Sequence, residues 1–455
     1  MRKFLSLMMM VFLQMYCASI LPKKEIDTES PNIRIERYPE TFNMKGKGPV
    51  LCGSSPCAGD QLSKMKPDEI KGLTKDGIWE EWVQKERTSS DKKEKYSVLD
   101  KKGLYKDGKK EGVWQYFYED GVLLKETEFK NDEKNGLEKK YTKTKEVIEE
   151  SNYVNNLLDG PHYKKTREGR KEVEGQYSQD KKTGEWREYF TDKAMNGLKT
   201  VTNYREDKKH GKETRYYDDG KTLLAEGNYE NNLESGPWKF YYDTGSIEYD
   251  GAFKPVEPAP AKTAAKDETA SGKTAAEPTP ADELKTKAKR SGLWKRYYKS
   301  GDVFSEGNMD GGPTGEWKFY HKGGVLGAKG KMSNDLMMTE GEWFDESGRP
   351  HVKGKFLISI LNLDKKTDSF ERKFRPSKPF IVYKEGKKYL EVKEAEEKGK
   401  TIAWLFGDNG NKIGEGPIEP NTQKKHGCWT VNGKKVFYLM DSEKGGVMAQ
   451  MQKCE

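Results

Sequence analysis

Five cysteines and five histidines are the residues of this 455-residue chain best suited to redox, metal or nucleophilic chemistry. Cys52 and Cys57 enclose Gly53-Ser54-Ser55-Pro56, and Cys428 and Cys454 lie near the C-terminal end. Four such thiols suit disulfides if the chain reaches an oxidising compartment. Pairing Cys52 with Cys57 closes a small loop bent by Gly53 and Pro56. Pairing Cys428 with Cys454 ties down the last residues, and cross-pairing between the two ends stays open. Zinc is the rival chemistry, but His162, His210, His321, His351 and His426 are scattered and no Cys-x-x-Cys occurs, so no metal is expected. Carboxylate pairs such as Glu149-Glu150 abound in a chain with 75 acidic residues and single out no glycosidase centre. There is no phosphate-cradling Gly-rich Lys loop, no Gly-x-Ser-x-Gly elbow and no His-Glu-x-x-His. The expectation is a protein that is not an enzyme and holds no cofactor.

What recurs instead is tryptophan at one fixed place. The stretch Gly236-Pro237-Trp238-Lys239-Phe240-Tyr241-Tyr242-Asp243-Thr244-Gly245 has close copies opening at Gly112, Gly184, Gly292 and Gly315, and looser ones at Gly136, Gly160, Gly211 and Gly341. The step is about 24 residues, a period that marks a solenoid or array. Within a unit, Trp follows the opening Gly by two places, an aromatic pair and a second Gly come next, and an aromatic or Met closes it, as at Phe129, Tyr153, Tyr177, Phe253, Met309 and Met332. Two aromatic runs joined by Asp-Gly, Thr-Gly or Ser-Gly read as a β-hairpin. A single hairpin is too small to stand alone, so neighbours must pair to bury their rings. Trp114, Trp186, Trp238, Trp294 and Trp317 then form a ladder. It serves mutual packing, or binding if one side is uncovered. Trp238→Ala should lower stability before it affects binding.

This unit resembles the MORN-variant repeat, the type found in bacterial repeat proteins that carry an antitoxin label, and the resemblance covers roughly residues 77 to 356. It implies an all-β fold: an array of about 24-residue β-hairpin repeats forming an elongated, twisted antiparallel single-layer sheet. Two copies depart from the pattern, since Glu138 and His162 stand where Trp belongs, so those hairpins should pack less well. The resemblance implies little about function, because such repeats serve many partners.

Met1-Arg2-Lys3 and the apolar run Phe4 to Tyr16 read as an export signal, too short for an ordinary membrane span. Cys17 resembles the modified first residue of a bacterial lipoprotein, although Leu13, Gln14 and Tyr16 fit the usual motif loosely. Lipidation of Cys17 would anchor the chain; the alternatives are cleavage after Ser19 and an uncleaved anchor. The expected order is a signal at 1–19, an extended tether with a small Cys-containing cap at 20–70, a repeat array at 71–253, a disordered Pro/Ala/Lys/Thr-rich linker at 254–290, a second array at 291–356, and degenerate hairpins with a C-terminal cap at 357–455. The linker is expected to separate two sheets rather than hang from one.

With 33% hydrophobic and 35% charged residues, the chain lacks the apolar volume for one large core, and its 11% of aromatic residues must do the burying. The net charge of +8 is spread over 83 basic and 75 acidic residues that interleave along the strands, which marks a solvated face and argues against nucleic acid. The expected partners are a protein or an extracellular polymer, with the membrane reached through the N-terminal lipid. The expected place is the bacterial cell envelope, as an outer-membrane lipoprotein facing the surface or the periplasm. A periplasmic scaffold or spacer is the alternative, and an antitoxin or immunity protein a further one.

Overall fold

Aromatic and β-branched residues alternate with Lys and Glu through most of the chain, and this period of two suits strands with one buried face. The computed structural model is accordingly mostly strand, and among the described residues it has two short helices of four and five residues. It describes residues 26–28, 32–41, 43–57, 61–89, 92–192, 197–255, 288–332, 337–358, 374–397, 400–419, 424–439, 442–444 and 454. The expected signal with Cys17, and positions 256–287 of the expected linker, lie outside the described residues. The chain divides into two compact units, one reaching Asn196 and including Tyr204–Asp207, the other made of Gly197–Asn203 and everything from Lys208. Each is an open antiparallel array of hairpins.

The first unit begins with a small folded cap that contains Cys52 and Cys57, in the stretch where a Cys-containing cap was expected beside an extended tether. The strand Ile33–Arg37 pairs with Met44–Cys52, which pairs in turn with Gly77–Ser89. The helices Gln61–Lys64 and Pro67–Lys71 supply Leu62 and Ile70 to a core with Val50, Cys57 and Trp79. Arg34 Nη1 donates to the carbonyls of Ile70, Lys71 and Leu73 at 2.9, 3.0 and 2.8 Å, satisfying oxygens that a helix end leaves open. Two prolines have local duties here: Pro67 sits in the first turn of a helix and Pro49 lies within a strand. Gly77–Ser89 and Lys92–Lys106 then form a hairpin of 13- and 15-residue strands. The regular hairpins Lys109–Phe117/Leu123–Lys130, Glu133–Tyr141/Val147–Val154 and Leu157–Lys165/Lys171–Ser178 follow, and Lys181–Tyr189 pairs with the last of them.

In the second unit the same pairing runs from Lys208–Tyr216/Leu223–Glu230 through Leu233–Tyr241/Ile247–Lys254. Ile247–Lys254 then pairs directly with Lys289–Tyr297, with Lys254 opposite Lys289. The expectation that the linker separates two sheets is therefore corrected: the ladder continues across it. The array also continues past residue 356, through Phe374–Lys384/Lys387–Glu397 and Lys400–Phe406/Lys412–Glu419 to Gly427–Val431/Lys434–Leu439.

Turns between hairpins fix the register. Asn131 and Asp132 have φ of 53° and 72°, and Asn155-Asn156, Gln179-Asp180, Glu206-Asp207 and Asn231-Asn232 repeat this pair of left-handed residues. Such a two-residue turn matches the strand twist, and Asn and Asp tolerate it best. The second residue also ties the turn to the preceding hairpin. Asp132 Oδ1 accepts from the Lys110 amide at 2.7 Å, while the Asp132 amide donates to the Lys110 carbonyl at 3.0 Å. Asn156 with Lys134, Asp180 with Leu158, Asp207 with Lys182 and Asn232 with Lys209 make the same exchange.

Candidate functional site

The two faces of these hairpins differ in chemistry. On the inner face, the opening Gly236 has φ of 65°, and the register shifts around it: Ser235 stands opposite Asn228 and Trp238 opposite Gly227. Gly236 and Pro237 have no counterparts on the preceding strand, which makes a bulge that turns the indole onto it. The indole lies flat on Gly227, where an added Cβ would stand 2.1 Å from the ring, and Trp238 Nε1 donates to the Asn228 carbonyl at 3.0 Å. The same arrangement joins Trp114 to Gly103, Trp186 to Gly175, Trp294 to Gly251 and Trp317 to Gly307, with Nε1 donating at 3.0 to 3.1 Å each time. Trp79 on Gly48 in the first unit and Trp429 on Gly416 in the second repeat it.

The five tryptophans singled out from the sequence are all buried, with at most 7% exposure, so they hold hairpins together and present no aromatic surface. Their covers come from two places in the repeat. Trailing rings stand edge-on against them, Tyr105 on Trp114 and Tyr177 on Trp186 at 4.9 Å, and Phe253 on Trp294 at 5.3 Å. Cations two residues before the opening glycine lie over the indoles: Lys75 and Lys182 at 4.3 Å, Lys110 and Arg290 at 4.8 Å. Sequence reasoning missed these cations, although their fixed offset was legible.

Three hairpins replace the indole and its glycine together. Glu138 stands opposite Thr127, whose hydroxyl donates to it at 2.8 Å, and Lys134 and Lys125 reach the same oxygen at 2.9 and 3.2 Å. Glu213 accepts from Thr202 at 2.9 Å, Lys209 at 2.5 Å and Arg215 at 2.6 Å. His162 Nδ1 shares a 2.9 Å hydrogen bond with Ser151. Burial pushes both carboxyls up, but their cationic and hydroxyl partners outweigh it and hold them below the usual range. Burial holds His162 low, which favours its neutral form. The expectation of poor packing at Gly136 and Gly160 is thus corrected for Glu138, which is buried and fully engaged, while His162 is half-buried against Tyr177.

The outer face carries tyrosines five places after the opening residue, each donating to a carboxylate of the preceding strand. Tyr141 reaches Glu126 at 2.7 Å, Tyr189 Glu174 at 2.5 Å, Tyr241 Glu226 at 2.7 Å, Tyr297 Asp250 at 3.1 Å and Tyr320 Glu306 at 2.7 Å. Burial first, then the neighbouring carboxylates, push Tyr241, Tyr297 and Tyr320 up to about 12, so they stay protonated donors. Lysines three places after the opening residue alternate with these carboxylates, as Lys239 does between Glu226 and Asp250. Sequence reasoning took the lysines and carboxylates as a solvated face and did not single out the tyrosine row. At the hairpin ends a second tyrosine row donates to the next repeat's backbone: Tyr118 to Tyr141, Tyr217 to Tyr241, Tyr242 to Tyr297 and Tyr298 to Tyr320, at 2.7 to 3.1 Å.

Cys52 is bonded to Cys57, and Cys428 to Cys454, which settles the pairing left open by the sequence. Among the described residues no group of three or more His, Cys, Asp or Glu side chains is placed to hold a metal ion. Residues 110–131, 209–231, 234–254 and 290–310 match the family model of the MORN repeat variant. A comparison with curated proteins found no match.

Proposed function

We propose that this chain, a MORN-variant repeat protein, is a non-catalytic, exported and lipid-anchored protein of the bacterial envelope that binds another protein or a polymer through its repeat sheet. The observation that carries this reading is the division of labour between faces. The aromatic residues that hold the hairpins are covered, whereas Lys239, Asn228, Asn308 and Lys318 stand exposed on the outer face at repeat spacing. An array of similar hairpins offers a partner repeated contacts. Two disulfides support export, because such bonds persist in oxidising compartments. The apolar run before Cys17 supports an anchor.

The uninterrupted strand pairing within the second unit, carried across the 256–287 insertion, also suits a structural spacer within the envelope. Protease treatment of intact cells separates the two readings, with cutting between Lys254 and Lys289 followed by blotting and a lysed-cell control. Cutting in intact cells is expected for a surface protein with an outside partner. Cutting only after lysis contradicts the surface location and favours the spacer. Retention of the protein in the soluble cytoplasmic fraction, with Cys52 and Cys57 reduced, overturns export altogether.

A further inference from the structure

We infer that the outer face of the second unit, along Tyr241, Tyr297 and Tyr320, is a docking strip for a neutral β-1,4-linked glycan. This deepens the polymer-binding reading above and rests on it.

The charge pattern selects the partner. Lys239 lies opposite Glu226 and Asp250, Lys295 opposite Asp250 and Glu306, and Lys318 opposite Glu306 and Lys329, with Glu342 opposite Lys329, so four lysines face four carboxylates. The strip is therefore close to neutral and exerts no long-range pull on a polyanion. Its centre is also rich in Lys and Glu, the residues depleted from the centres of protein interfaces. A neutral, hydroxyl-rich chain fits both facts: its hydroxyls can replace water on the lysines, carboxylates and the exposed amides of Asn228 and Asn308.

Apolar surface is available for the C–H faces of sugar rings. Leu293 is 54% exposed and lies opposite Asn308 beside the strip, and Pro237 holds the equivalent exposed place one repeat earlier. The pitch agrees as well. Tyr241, Tyr297 and Tyr320 sit on the first strands of successive hairpins, two strands apart, a step of about 9.6 Å. A disaccharide of an extended β-1,4-linked chain advances by nearly the same distance, so each hairpin would meet the same sugar edge. In the first unit the equivalent strip is altered, since Lys171 lies over the ring of Tyr189 at 5.3 Å and Lys165 stands where the hairpin opening at Gly160 would carry the tyrosine.

The test is calorimetric titration of the full chain with chitohexaose and cellohexaose at 0.15 M salt, with maltohexaose and heparin as controls. At least one β-1,4 hexamer is expected to bind, more tightly than its dimer, and Tyr297→Ala should weaken it about tenfold while the chain stays folded at the titration temperature, its stability only slightly lowered. Lys239→Ala, an exposed site, should weaken it too and guards against misfolding of the tyrosine variant. Binding of heparin alone, or hexamer binding unchanged in both variants, overturns the proposal. If cell-wall material retains both variants as well as the wild type, the strip is wrong while the polymer reading stands. If neither hexamers nor wall material bind, both fall.

Discussion

At the scale of single residues, the fold rests on a pair of choices made 11 positions apart. Gly227 with Trp238, Thr127 with Glu138 and Ser151 with His162 each place a small residue under a larger one. Trp238→Ala should cost about 3–5 kcal/mol, since it removes a buried indole and leaves a gap over Gly227. Gly227→Ala should cost a comparable amount from the other side, because its methyl would meet the ring; thermal unfolding checks both. At Glu213 the charge matters most. Glu213→Gln should cost about 2 kcal/mol, less than for a fully buried ion pair because Lys209 and Arg215 are one-third exposed. Burial pushes Glu81 up, but Lys75 at 2.7 Å and Lys101 at 3.1 Å bring it down to about 2. Carboxyls held low in the folded chain contribute stability that is complete above their unfolded value of about 4.3 and is lost as pH falls through the folded value. Stability measured by denaturant unfolding should therefore decline from about pH 5 toward pH 2, and less steeply in Glu213→Gln. A pH-independent stability over that range would contradict the account.

At the scale of elements, the hairpin is held at its turns as well as its faces. Asn232 combines a φ of 70° with a side-chain acceptor for the Lys209 amide at 2.7 Å. Asn232→Gly keeps the backbone and loses the link, which should cost about 1 kcal/mol, whereas Asn232→Ala adds left-handed strain of about 1–2 kcal/mol. The unfolding midpoint of Asn232→Gly against the parent isolates the link, and the further drop in Asn232→Ala measures the strain. The sequence made the hairpins legible because Trp, paired aromatics and Asp-Gly recur at one period. It hid the partner of each indole, because a glycine in a strand looks like a weak point until its cross-strand neighbour is known. Glu138 read as a defect for the same reason: its compensation, Thr127, lies on another strand. The insertion after Lys254 looked like a boundary because composition does not report that Lys254 pairs with Lys289.

At the scale of the whole molecule, stability should be local, since each hairpin touches mainly its neighbours. Cys454→Ser should free the end of the array at a cost of about 3 kcal/mol, for a loop of sequence separation 26, and hydrogen exchange should quicken around Gly427–Leu439 while Leu233–Tyr241 stays protected. The central claim is that one face of the sheet holds the array and the other is left for a partner. The strand Lys289–Tyr297 carries both, with Trp294 buried on Gly251 and Tyr297 half-exposed beside Asp250. The most direct measurement is the thermal unfolding of Trp294→Ala beside Tyr297→Ala. The account predicts a loss of about 3–5 kcal/mol for the first and about 1 kcal/mol or less for the second. Equal losses, or a Trp294→Ala variant as stable as the parent, would contradict it.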